Sequence, residues 1–255
     1  MLRTLTEHGF LFSELVKRDF KRKYKGTYLG MVWSLLSPLI TLLIMSLVFG
    51  SFFSQYEPHY TIYLFCGNII FAYFSDASGG CMQTLVDNAP VLTKVKVPKY
   101  LFVLSRSTSS LINFSLTLSV FFIFCIIFGI NFTWSFLLLI FPLVFLILFN
   151  VGMGLFLSSL YVFFRDMTYL WSLFVMLLMY MSAIFYPVEI LPDFLGKLIY
   201  LNPVYVYIRF FRAIVIDGAA PSLSLWLLSA IYSAIALFLG ILLYRKSSDK
   251  FLYYV

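Results

Sequence analysis

Five stretches of this sequence run without a charged side chain: Gly30 to Phe53, Ser107 to Ile130, Phe132 to Phe164, Met167 to Val188, and Gly218 to Tyr244. Each exceeds the roughly 20 residues that a helix needs to cross a hydrocarbon layer of about 30 Å. No other feature restricts the fold so strongly. Only 11% of the 255 residues are charged and 62% are hydrophobic, whereas soluble domains carry about 25% charged residues. The chain therefore reads as an all-α integral membrane protein. A sixth stretch, Tyr60 to about Val86, is interrupted by Asp76 and by the polar cluster Ser75, Ser78, Gly79 and Gly80. Counting it gives six transmembrane helices, with both termini on one side.

The basic residues say which side. Of the 18 Lys and Arg, fifteen fall in the N-terminal segment, in the loop around Lys94, Lys96, Lys99 and Arg106, at Arg165, or in the tail. Only Lys197, Arg209 and Arg212 fall on the other side. By the positive-inside rule both termini are cytoplasmic. The net charge of +7 is thereby used for topology, and nucleic acid is not an expected partner. Residues 1–28 form a cytoplasmic N-terminal segment without the apolar core and cleavage site of a signal peptide. Residues 29–244 form one membrane domain, and residues 245–255 a cytoplasmic tail.

Three segments do more than span. Between Phe12 and Tyr24, the residues Phe12, Leu15, Val16, Phe20 and Tyr24 share one helical arc, with Lys17, Arg18, Lys21 and Arg22 opposite. This pattern suits an amphipathic helix at a membrane interface. Asp19 and Lys23 interrupt the arc at a spacing that permits mutual pairing. The loop Asp87 to Lys99 mixes apolar and basic residues, as a short helix docking on a soluble partner would. Pro187, Pro192 and Asn202-Pro203 cut the stretch from Tyr186 to Pro221 into apolar pieces too short to cross a bilayer. They are expected as re-entrant or interfacial helices between spans five and six.

Catalytic chemistry is missing from the sequence. It contains no G-x-x-x-x-G-K-[ST] phosphate loop, and Cys66, Cys81 and Cys125 have no metal or disulfide spacing. They read as small core residues. Asp76 is the one ionisable residue well inside a span, where ion-coupled transporters usually bury several partnered charges.

The segment from Arg18 to Leu39, RDFKRKYKGTYLGMVWSLLSPL, resembles the opening of ABC-2 type permeases that export bacterial surface polysaccharides such as O-antigen, teichoic acid and rhamnan. The likeness continues through Tyr73-Phe74-Ser75, Asn88 to Pro98, FFRD at Phe163 to Asp166, SAIFYP at Ser182 to Pro187 and LNP at Leu201 to Pro203. Ala183 departs from it, since many members carry proline there. The resemblance implies a homodimer of six-helix subunits in the bacterial plasma (inner) membrane, each subunit bound to a cytoplasmic ABC ATPase. ATP and Mg would sit on that partner, with no cofactor, metal or catalytic residue on this chain. The substrate would be a glycan on a polyprenyl pyrophosphate lipid.

On that resemblance, Val91, Leu92, Lys94, Lys96, Arg165 and Asp166 are candidates for coupling to the ATPase, Asp166 also as a helix N-cap. The 20% aromatic content exceeds what interface belts require, and sugars offer C–H faces that pack on rings. Trp33, Tyr73, Phe74, Trp171, Tyr180, Phe185 and Tyr186 are therefore candidates for a translocation path, with Arg209 and Arg212 at an outer gate. The competing readings are an ABC-2 exporter of small molecules or drugs, and an integral-membrane transferase acting on lipid-linked sugars. The transferase would need clustered catalytic groups, and Glu57, His59, Glu189, Asp193 and Asp217 form no pair at catalytic spacing.

Overall fold

The structure is a computed structural model describing residues 9–94, 97–248 and 250–251, and among these the chain is helical with no strand. In chain order the helices are α1 (Gly9–Tyr24), α2 (Trp33–Phe53), α3 (Tyr60–Asp87), α4 (Ala89–Leu92) and α5 (Tyr100–Ile127). They are followed by α6 (Ile140–Phe163), α7 (Met167–Met181), α8 (Asp193–Leu198), α9 (Pro203–Val215) and α10 (Leu223–Ser247). Short 3₁₀ turns at Gly30–Val32 and Trp134–Leu139 lengthen α2 and α6.

Four helical segments are long and apolar enough to cross a membrane: Gly30–Phe53, Tyr100–Ile127, Trp134–Phe163 and Leu223–Ser247. They match four of the uncharged stretches. The 28-residue α3 is long enough too but less apolar, because it lies at the centre of the bundle against α2, α5, α6, α7 and α9. Protein rather than lipid surrounds it. It can therefore carry Tyr, Asn, Ser and Gly where a lipid-facing helix could not. By contrast α2 and α7 turn rows of large apolar side chains outward, Leu43, Leu47 and Phe52 on one and Leu170, Leu173 and Leu177 on the other, as suits lipid contact.

The stretch Met167 to Val188 does not form one spanning helix. The 15 residues of α7 reach only about 22 Å at 1.5 Å per residue, and the chain unwinds from Ser182. Beyond it, Asp193–Leu201 and Pro203–Val215 meet at 104°, so neither continues the other. Apolar burial drives helix association only weakly in lipid, and close backbone approach takes its place. Such an approach joins α6 to α10, where Gly152 and Gly240 face each other and a Cβ on either would collide with the other helix's backbone. Cys66, Cys81 and Cys125 are free and buried in the core, as expected.

Candidate functional site

The motif SAIFYP folds into an unwound segment in which the carbonyls of Ala183, Ile184, Phe185 and Tyr186 accept from side chains. Tyr60 Oη donates to Phe185 O at 2.6 Å, and Tyr63 Oη to Ala183 O and Tyr186 O at 3.2 and 2.8 Å. Arg212 donates to Ala183 O at 2.8 Å, to Ile184 O at 3.2 Å and to Tyr63 O at 3.0 Å, with its guanidinium 3.3 Å above the Tyr63 ring. Among the described residues no carboxylate accepts from it. The partial negative charge of carbonyls just past the end of α7 takes that part. Gly67 makes the space, since a Cβ there would stand 2.8 Å from the Arg212 Nη2. In LNP, Asn202 caps α9 through Val204 N and Tyr205 N, and its amide donates to Met181 O and Ser182 Oγ.

Arg212 is thus 2% exposed and holds the bundle together, where a place at an outer gate was expected. Only Arg209, paired with Asp217 at 2.8 Å, reaches the surface. Ala183, at φ 46°, turns the chain back with a backbone angle that proline, held by its ring to negative φ, could not adopt.

At the opposite end, α1 lies along α5. Its buried Asp19 accepts from Arg18 at 2.7 Å and from Ser105 Oγ at 3.1 Å, while Lys23 reaches Asp76 on α3 at 3.0 Å. Asp19 and Lys23 therefore serve different partners and do not pair with each other. Arg106 joins the Asp76 carboxylate at 3.3 Å and lies across Gly80, whose missing side chain leaves room for the guanidinium. In α4, Val91 is 38% exposed but Leu92 only 7%, buried with Leu15, Phe102 and Tyr244. Lys94 is exposed, and Lys96 lies outside the described residues. Arg165 stacks 5.4 Å over Tyr161. Asp166 occupies the N-cap position of α7, yet its side chain makes no capping bond.

The seven candidate rings do not form one wall within a single chain. Phe74 and Trp171 pack edge to face in the core, where Trp171 Nε1 donates to Ser78 Oγ. Phe185 lies against Phe49 and Tyr180, and Tyr186 Oη donates to Tyr180 O. Trp33 and Tyr180 are 40% and 53% exposed. Tyr73 stacks on Phe114 at 4.5 Å. Together with Trp33 it lines a cavity of about 470 Å³ between α1, α2, α3 and α5. Sequence reasoning missed this cavity, along with the roles of Tyr60, Tyr63, Gly67 and Asn202.

Apolar rods around a polar-edged central helix, closed at one end by a broken helix pair, define a multi-pass helical membrane protein. The profile of the ABC-2 type transporter family matches residues 11–216, taking in α1, the cavity and the whole carbonyl-capped segment. The chain belongs to the ABC-2 type transporter family. It is similar to an O-antigen export system permease protein RfbA from Klebsiella pneumoniae, 28% identical over 188 residues that cover 73% of this chain and 69% of the relative. A second RfbA from the same organism is 26% identical over 163 residues, 63% of this chain and 62% of its own length. One from Myxococcus xanthus is 26% identical over 201 residues, covering 77% and 76%.

Proposed function

We propose that this chain is the membrane subunit of an ABC exporter that moves a lipid-linked surface polysaccharide outward across the bacterial plasma membrane, driven by a separate ATPase subunit. The observation that carries this reading is the family match over residues 11–216 together with relatives named as O-antigen export permeases. In this reading α2, α3, α5, α6 and α10 are five spans, and α7 together with the unwound segment that follows it makes the sixth crossing. The excess of basic residues on one side supports cytoplasmic termini.

The geometry supports a division of labour between the two ends. On the cytoplasmic side Val91 and Lys94 stand exposed on and beside α4, available to a groove on the ATPase, where ATP and Mg reside. On the outer side the carbonyl-capped turn and α9 close the bundle, with Arg209 left to meet an anionic headgroup. The outward-facing Trp33 and Tyr180 would line a path completed by a second copy of the chain, and the polyprenyl-pyrophosphate glycan would pass between the two copies. Affinity purification in mild detergent tests the assembly. An ABC ATPase co-elutes, and removing the gene abolishes surface glycan. A chain that elutes without an ATPase and whose loss leaves the glycan in place would refute the reading.

A further inference from the structure

Three helices of the bundle carry polar side chains at helical spacing inside otherwise apolar spans. Ser34, Ser37 and Thr41 on α2, and Ser110, Asn113 and Thr117 on α5, repeat the same i, i+3, i+7 interval, and Asn68 and Asp76 stand at i and i+8 on α3, with the small Ala72 between them. Such spacing puts each set on one face of its helix. All three faces converge on the 470 Å³ cavity. Polar groups within a bilayer are costly unless they meet partners or a cavity. Here several lack partners. Among the described residues Ser37, Thr41 and Asn68 make no hydrogen bond, and Asn113, 8% exposed, accepts from Tyr24 Oη at 2.8 Å while both its amide donors go unused.

The rest of the wall narrows the ligand. Trp33, Tyr24 and the stacked pair Tyr73 and Phe114 supply aromatic surface. Among the described residues Lys23 and Asp76 are the charged groups lining the cavity, and they pair with each other at 3.0 Å. Arg106 also reaches the Asp76 carboxylate, at 3.3 Å, so both cations beside the cavity are already engaged by protein, and an acyl chain would leave the hydroxyls and amides unpaired. A neutral polyol with apolar ring faces satisfies both parts of the wall. The volume falls within the roughly 300–1,000 Å³ of ordinary small-molecule sites, enough for one or two sugar rings.

We infer that this cavity is a sugar-binding site within the single chain, one that holds neutral hexose units of the glycan beside α1 before they enter the path between subunits. The inference rests on the export reading above, and deepens it by assigning a place where sugar is held. In cells making the glycan from tritiated sugar, p-benzoylphenylalanine is placed at Thr41 in the cavity wall or at the outward-facing Ile40. The expected result is at least tenfold more glycan cross-linked at position 41 than at 40. Asn68→Leu, which matches the amide in size without its polarity, should lower the yield at 41 several-fold while the same amount of folded chain is recovered. Equal labelling at both positions, or no labelling at 41 while export still depends on this chain, overturns the cavity assignment and leaves the permease reading standing. Export that persists without the chain overturns both.

Discussion

Arg212 illustrates how a single residue can change meaning between sequence and structure. Among aromatics on the side poor in basic residues, it reads as a binder of pyrophosphate. In the fold its guanidinium serves three carbonyls on two separate segments. Replacing it with Met leaves Ile184 O without its donor and takes a second donor from Ala183 O, which keeps Tyr63 Oη, and a buried carbonyl left unpaired costs about 1–3 kcal/mol. Arg212→Met should therefore lower the unfolding midpoint and recovery of the detergent-purified chain, whereas Arg209→Met should leave both unchanged. Two glycines of α3 make a second contrast. Gly67→Ala presses on the Ile184 backbone, 3.3 Å from the new carbon, as well as on Arg212, but Gly80→Ala meets only the movable guanidinium of Arg106. Overpacking against fixed atoms costs about 1–3 kcal/mol, so the Gly67 variant should lose more folded protein, as read by fluorescence-detected gel filtration.

At the scale of elements, α4 divides its two apolar residues between roles. Val91→Asp alters an exposed position and should cut export at least tenfold with normal membrane yield, because in the proposed assembly the contact it disturbs is one with the ATPase. Leu92→Asp buries a carboxylate against Leu15 and Phe102, at a cost above about 3 kcal/mol. It should fail to accumulate. The α6–α10 pair gives a further prediction. Gly152→Ala forces a methyl into the backbone at Ala236 and Leu237, while Gly50→Ala on α2 meets nothing closer than Ser46 Oγ at 4.0 Å. The first should abolish recovery of folded protein in detergent and the second leave it unchanged.

For the molecule as a whole, the aromatic surplus divides between packing and path. Phe65, Phe121 and Phe211 form a chain of ring contacts deep in the bundle, and Phe74 and Trp171 belong to the same core. Trp171→Leu should therefore lose folded protein. Trp33→Leu and Tyr180→Leu, which alter exposed rings, should keep folded protein and lose glycan export. Equal export from every variant that accumulates normally would assign the surplus to packing and lipid contact alone. The purified chain should hydrolyse no ATP until the ATPase subunit is added.

The sequence by itself determined that the protein is helical and membrane-embedded, because backbone satisfaction in lipid leaves uncharged runs of this length little choice but to be helices. It also marked the break at Asn202-Pro203 and the mixed character of the Asp87 to Lys99 loop, since proline, charge and apolar run length act locally, whereas the unwinding from Ser182 fell inside an uncharged run. Partnership was decided only by the tertiary structure. That Lys23 pairs with Asp76 and Asp19 with Ser105 depends on how α1 lies across α5, which helical spacing alone does not specify. That Gly67 admits an arginine from 145 positions further along the chain is a property of two surfaces meeting. The serine, threonine and asparagine positions of α2 and α5, with Asn68 and Asp76 of α3, repeat at helical spacing, which does not by itself show that the three helices share a cavity. Their common cavity exists because packing turned all three toward one point.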